Sequence, residues 1–234
     1  MFSRCLHKHL WVSLLEKAFA KAYGCYEALE GGLSREGLSA LTGEPVYSIW
    51  LPKSEDEEGV TSDGKKLWQN LAKFIQAGYL MGASCGRMED DQQKYKDVGL
   101  ITQHVYSLMD IEPKAGGNST RLVCLRNPHG SSKWSGKWCD DSALWSSSRV
   151  PPALRNKRPN KQGNGIFWMS FEDFLQYFET TDVCKLRPDW HETRFTAPFY
   201  RTPEKSFLVV MLTVVEETSV DFMIHQLKLR SAEV

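Results

Sequence analysis

The sequence predicts an α+β fold in which helices flank an antiparallel sheet, followed by the first strands of an incomplete β-sandwich. Three patterns support this class: apolar residues at helical spacing near the start, a hairpin in the middle, and β-rich runs near the end. The chain has 234 residues, of which 41% are hydrophobic, and this suffices to bury a sizeable core.

Two helices are predicted in the first third of the chain. Apolar residues recur at helical spacing in LWVSLLEKAFAKAY, and Gly24 supplies an end for that helix. A second apolar series runs from Leu67 to Ile75, ends at Gly78 and leads into a short strand, YLMGAS. The polar segment between them, KSEDEEGVTSDGKK, is interpreted as a solvated connector.

The middle of the chain predicts a hairpin with a long loop. Its two β-rich runs are HVYSLMDI and TRLVCLR, and the Gly-Gly and Asn in EPKAGGNS favour a turn between them. Residues 128–165 lack periodicity and are interpreted as a long loop.

The last part of the chain alternates strand and helix signals. IFWM predicts a strand, Ser170 with Asp173 predicts a capped start for the helix FEDFLQYF, and TDVCKL predicts another strand. Two further runs, SFLVVMLTVV and SVDFMIHQL, have no helical period and predict the opening strands of a separate β-sandwich.

The charge balance excludes some classes of partner. Lys and Arg together number 29, as do Asp and Glu, so no net field attracts nucleic acid or an anionic membrane, and we expect neither as a partner. No stretch is apolar enough to cross a bilayer. A basic patch without an acid lies in the long loop, and we favour a solvated, mobile loop over a phosphate site because no glycine-rich cradle accompanies it. Its members are Arg149, Arg155, Lys157, Arg158 and Lys161.

The cysteines predict reduced thiols in a cytoplasmic protein. They are scattered without a C-x-x-C pair, in a chain too large to need disulfides. A metal site at Cys5, His7 and His9 is disfavoured because no second ligand pair at zinc spacing follows, so we expect neither metal nor cofactor. The six cysteines are Cys5, Cys25, Cys85, Cys124, Cys139 and Cys184.

The hairpin carries the candidate chemistry. If its strands pair symmetrically about the loop, His104 lies opposite Asn127, with Cα atoms about 4.5–5.5 Å apart. An amide oxygen could then accept from the imidazole, the arrangement that a thiol protease needs. A bulge would break this pairing, and an ordinary strand-end histidine with a turn asparagine remains the alternative.

Several long segments resemble the calpain family of papain-like cysteine proteases. They are WVSLLEKAFAKAYGCYEALEGG, GLITQHVYSLMDI, RLVCLRNPHGSSKWSGKWCDD and GIFWMSFEDFLQYFETTDVCKL, in the family's order and roughly its spacing. The resemblance implies that residues 1–192 are the C-terminal subdomain of the protease core. DWHETRF and LTVVEETSVDFMIHQ resemble the start of the C2-like β-sandwich that follows, assigned to residues 193–234, and are nearest the small-optic-lobes branch, typified by calpain fifteen.

The resemblance implies roles for two residues. His104 in QHVYS matches the catalytic histidine of the GHAYS-type motif, and Asn127 in RNPHG matches the asparagine of RNPWG. His104 would deprotonate the thiol and protonate the leaving amine, while Asn127 orients the ring. The family's cysteine stands in an upstream GDCW motif that this sequence lacks, so we expect no activity from the chain alone. Cys85, near a strand end, is the one cysteine of this sequence that we consider as a substitute for that nucleophile.

The departures from the family touch regulation and partners. The stretch that matches the family's second core calcium site has Lys133, Asn164 and Ile166, with Asp140 as the one clear carboxylate, so we expect no tight calcium binding. His129 replaces the tryptophan after Asn-Pro, and either stacks in its place or is a drifted position.

The expected partners are a peptide or protein substrate and the missing N-terminal protease half. A non-catalytic pseudoprotease or protein-interaction module is the alternative function.

Overall fold

The structure is a computed structural model that describes residues 10–53, 62–87, 91–115, 120–130, 133–147, 150–158, 164–196 and 209–224. The chain forms one compact unit within Met1–Leu186 and another within Arg187–Lys228. No helix among these described ranges is long and apolar enough to cross a membrane.

The first unit is built on one antiparallel sheet. Its strands lie in the order β1-β6-β2-β3-β4-β5, and every neighbouring pair is antiparallel. The strands are β1 Val46–Trp50, β2 Leu80–Cys85, β3 His104–Ala115, β4 Thr120–Arg126, β5 Ile166–Ser170 and β6 Phe178–Cys184. The helices are α1 Trp11–Tyr23, α2 Ser34–Thr42, α3 Ser62–Gln76, α4 Gln92–Asp97, α5 Pro152–Asn156 and α6 Phe171–Tyr177, with short 3-10 helices at Glu27–Leu29 and Ala143–Ser146. The α+β class is therefore confirmed.

The predicted elements of the protease-like unit are present. The first helix ends before Gly24, whose φ of 101° suits a residue without a side chain. The hairpin forms from β3 and β4, and the Ser170 hydroxyl accepts the backbone N–H of Asp173 at 3.0 Å to begin α6. The sequence analysis did not predict α2, β1 or α4. The first of these, α2, is only nine residues long and buries no residue.

Alternate residues of β4 feed two separate cores because successive side chains point to opposite faces of a sheet. Leu125 packs with Phe174 and Leu71, which bring α6 and α3 onto one face. Cys124 packs on the other face in a cluster that includes Trp145 and Trp168. The sheet is therefore covered on both sides where β4 passes through it.

The segment 128–165 is not the structureless, solvated loop that the sequence suggested. Its described part contains a 3-10 helix and α5, and three of its tryptophans are buried in the two cores. These are Trp134, Trp138 and Trp145.

The basic residues of this segment have partners that local sequence did not reveal. Lys157 Nζ contacts Asp110 Oδ2 of β3 at 2.9 Å, and Arg158 Nε donates to the Asp140 carbonyl at 2.6 Å. Arg155 donates to the Ser147 carbonyl at 2.7 Å. The expectation of a basic patch without an acid is therefore wrong for Lys157 and for Arg158, whose guanidinium also lies 4.0 Å from Asp141 Oδ1. Arg149 and Lys161 lie outside the described ranges.

The second unit carries no helix or strand over residues 209–224, where the sequence predicted strands. A strand is defined by hydrogen bonds to a neighbour, and two strands bury too little surface to be stable alone. Within this unit Arg187 pairs with Asp221, and its guanidinium lies 3.8 Å from the centre of the Trp190 ring. The β-sandwich remains a prediction.

Two leucine-to-alanine substitutions, one in α3 and one in α2, test the assigned core. Leu71→Ala removes a fully buried side chain under the sheet, and we expect the free energy of unfolding to fall by about 2–5 kcal/mol. The matched control is Leu41→Ala in α2, where the side chain is 55% exposed and the expected change is within about 0.5 kcal/mol. Urea denaturation of both variants measures the difference, and equal losses would contradict the assigned core.

Candidate active site

The candidate pair lies where the hairpin strands open away from their turn. His104 begins β3, and Asn127 directly follows the last residue of β4. The two side chains meet, with 2.9 Å between His104 Nε2 and Asn127 Oδ1.

The pairing argument that suggested this contact is wrong in its register. The ladder sets Ser107 opposite Arg126, and the register shifts twice between there and the turn. Continuing it by one residue would place Tyr106, not His104, opposite Asn127. The side chains still meet because diagonal neighbours on one face lie within reach of an imidazole and a carboxamide.

The hydrogen bonds around Asn127 fix the tautomer of His104. The backbone N–H of His129 can only donate, and it lies 3.0 Å from Asn127 Oδ1, so this atom is the amide oxygen. An oxygen can only accept, so His104 Nε2 carries the proton of this bond. In the neutral ring the lone pair is therefore on Nδ1, the nitrogen that can act as a base.

The backbone of Asn127 is held by the edge of the sheet. Its N–H donates to the Gly165 carbonyl at 2.9 Å, and the side chain is fully buried. A Cβ at Gly165 would lie 2.2 Å from the Asn127 carbonyl oxygen, and the φ of Gly165 is 74°. Glycine is thus required there, immediately before β5, for the asparagine to keep its place.

Burial keeps His104 neutral at neutral pH. Desolvation of the half-buried ring is the main cause that lowers the pKa of His104, and the charge of His129 adds to it. The hydrogen bond to Asn127 acts in the opposite direction. The edge of the Tyr106 ring lies against His104 with 5.0 Å between ring centres, and burial raises the pKa of that phenol. The imidazole of His104 is therefore neutral and able to accept a proton.

His129 occupies the position of the family's tryptophan and stacks on His104. The ring centres are 4.8 Å apart and the planes differ by 22°. His129 therefore stacks on the imidazole, as one of the two interpretations of the sequence predicted.

Cys85 does not offer a usable nucleophile. It is the direct strand partner of His104, but its side chain is fully buried in the core. A peptide cannot reach such a thiol. Burial also raises the pKa of Cys124 to about 12 and raises the pKa of Cys184, which disfavours thiolate formation at both. The five described cysteines are free thiols, and Cys5 lies outside the described ranges.

The residues at the implied calcium site do not fit a divalent cation. Lys133 Nζ lies 2.9 Å from Asp140 Oδ2, so an ammonium already neutralises the one clear carboxylate. Within the described ranges no three metal-ligating side chains cluster. Asn164 instead accepts the backbone N–H of Ile166 at 3.2 Å through its side-chain oxygen. That calcium is not bound tightly stays a prediction.

A cavity adjoins the residues that lead into His104. Its volume is about 320 Å³, and it opens to solvent. The residues that line it are Gln92, Lys96, Leu100, Ile101, Thr102 and Gln103. It is large enough to take a side chain of a bound peptide.

Comparison with known proteins identifies the class. A model of the calpain family of cysteine proteases matches residues 1–185. The calpain-type cysteine protease DEK1 of Arabidopsis thaliana is 37% identical over 180 residues, covering 76% of this chain and 8% of the relative. The catalytic subunit of mouse calpain-2 is 35% identical over 181 residues, covering 76% of this chain and 24% of the relative. Human calpain-8 is 34% identical over 183 residues, with the same two coverages.

These matches place the chain among the cysteine proteases. More narrowly, the chain belongs to the calpain family. It spans a quarter or less of the length of the relatives named above.

The acid side of the stability profile tests the environment of His104. The unfolded chain binds a proton at the ordinary histidine pKa of about 6.5, whereas the folded chain binds it only at lower pH. The free energy of unfolding should therefore fall as the pH is lowered from 7.5 to 5.5, and fall less in His104→Gln. Urea titrations at both pH values measure this, with the exposed His191→Gln as the control for losing one imidazole. An equal pH dependence in the parent and His104→Gln would contradict the buried, neutral ring.

The backbone before His104 is strained. Gln103 has a φ of 53°, where the family motif has glycine, and its N–H donates to the Cys85 carbonyl at 2.8 Å. Gln103→Gly should raise the free energy of unfolding by about 0.5–1 kcal/mol because the left-handed conformation no longer opposes a side chain. Gln69→Gly, on the exposed face of α3, should lower it by about 1 kcal/mol. Denaturant unfolding gives both values, and the same sign in both variants would refute the strain.

Proposed function

We propose that this chain supplies the general base and its orienting amide to a calpain-type cysteine endopeptidase that cleaves peptide bonds in proteins. The observation that carries the proposal is the bond from His104 Nε2 to Asn127 Oδ1, because it leaves Nδ1 as the basic nitrogen. The calpain relatives, whose printed names describe cysteine proteases, support the same reaction class.

In this proposal each step has a defined proton path. Nδ1 of His104 takes the proton of a cysteine thiol, and the thiolate attacks the peptide carbonyl. The imidazolium then gives this proton to the leaving amine, and an acyl-enzyme remains. Water, deprotonated by the same ring, attacks the acyl carbon; the C–S bond breaks, the carboxylic acid product leaves, and the imidazolium returns its proton to the thiolate. Asn127 holds the ring plane throughout, since its oxygen accepts from Nε2 in both charge states.

The thiol is proposed to come from a segment with a GDCW motif, as the family resemblance implies. Cys85 is buried and no described cysteine stands in such a motif, which supports inactivity of these 234 residues alone. Removing the nucleophile of a triad costs orders of magnitude in rate. Within the family, the sequence segments DWHETRF and LTVVEETSVDFMIHQ support assignment to the small-optic-lobes branch. Free thiols at the five described cysteines support a reducing, cytoplasmic location.

A second candidate function is a non-catalytic module that binds a protein. The first helix favours it, because Trp11 is 64% and Leu14 is 62% exposed on α1. Large apolar side chains exposed together are typical of interaction surfaces. The two candidates differ in whether His104 matters to the measured activity.

Complementation distinguishes the two functions. The chain is assayed with labelled casein alone, and again fused behind a GDCW-containing N-terminal half of a calpain protease core. We expect no cleavage alone and measurable cleavage in the fusion. His104→Ala should lower the fusion's rate by about 100-fold or more, and Asn127→Ala should lower it by a smaller factor.

Cys85→Ala is the matched control, since it removes a thiol beside His104 without touching the proposed machinery. It should leave cleavage by the fusion unchanged. Cleavage by the chain alone that depends on Cys85 would overturn the proposal. A folded fusion with no His104-dependent cleavage would favour the binding module.

A further inference from the structure

The side chain and backbone of His129 contact both members of the candidate pair. Its ring stacks on His104 with 4.8 Å between centres, and its backbone N–H donates to Asn127 Oδ1 at 3.0 Å. His129 is exposed, whereas His104 is half-buried. The outer ring thus lies between part of the inner ring and solvent.

Two imidazoles at this separation resist holding two protons. Unit charges about 5 Å apart repel enough to shift a pKa by about half a unit even in the dielectric of water. The charge of His129 is one of the causes that lower the pKa of His104. A tryptophan or phenylalanine at position 129 would stack without this repulsion.

The other groups packed around His104 do not mimic this effect in acid. Cys85 faces it from β2 as its strand partner, and Tyr106 faces it from β3 with 5.0 Å between ring centres. Thiols and phenols are neutral below pH 7, and Asn127 has no titratable proton. Of the groups named here, His129 is the one that belongs to the side-chain type that gains a proton between pH 8 and pH 5.

We propose that His129 is a positioning residue whose stacked ring orients His104 and whose positive charge, gained in acid, opposes proton uptake by His104. The inference rests on the proposed function for its consequence, because a base that must hold a proton during thiolate formation is weakened by a neighbouring cation. The fall of the cleavage rate at low pH should then depend on the positive charge of His129.

Proton NMR of the chain alone tests the coupling without any need for a nucleophile. The ring C–H resonances of His104 and His129, assigned by substitution, are followed from pH 8 to pH 4. His129→Phe keeps the stack and removes the charge, so His104 should titrate higher by about half a pH unit or more.

Two further variants serve as a control and as a test of the stacking between His129 and His104. His191→Phe replaces an exposed histidine and should leave the titration of His104 unchanged. His129→Gln should reduce the ring-current shift on the His104 resonances to the part that Tyr106 causes, whereas His129→Phe should retain the contribution of a stacked ring. Identical His104 titrations in the parent and His129→Phe, or no ring-current shift in the parent, would overturn the proposal.

The same variant separates this inference from the proposed function. In the complemented fusion, His129→Phe should extend cleavage to lower pH. If the NMR coupling appears but the fusion never cleaves, the proposed function fails and the coupling stands. If the fusion cleaves with an unshifted acid limb, the role of the His129 charge fails.

Discussion

One oxygen atom organises the candidate site. Asn127 Oδ1 accepts from the His104 ring and from the His129 backbone, so its two lone pairs are both engaged. Because the second donor is a main-chain N–H, the amide cannot flip without losing a bond in a buried position. The tautomer of His104 thus follows from the path of the chain through residues 127–129, and the chemistry proposed here depends on it.

That oxygen is held in place by the sheet. Asn127 is the first residue beyond β4, and the Gly165 carbonyl, just before β5, fixes its N–H. The tryptophan-rich segment joins these two strands, and its Trp145 is buried in one cluster with Trp168 of β5. Packing of that segment is therefore part of what positions the amide, even though none of its tryptophans touches His104 in the contacts described above.

Much of this arrangement could be predicted from the sequence, and the exceptions have physical causes. Period-two and helical patterns revealed β3, β4, α3 and α6 because these elements bury a continuous face. The contact between His104 and Asn127 was predicted from a symmetric register that the bulges of the hairpin break, so the partners were right and the geometry was not. The stacking of His129 depends on how a turn closes, and that information is spread over residues distant in sequence. A turn histidine next to a candidate base was the available signal.

The ammonium of Lys133 has a consequence for how the segment 133–158 responds to its surroundings. A divalent ion binds in proportion to its free concentration, whereas a tethered side chain is always at hand. The carboxylate of Asp140 therefore has a cationic partner from the same polypeptide, whatever the calcium concentration.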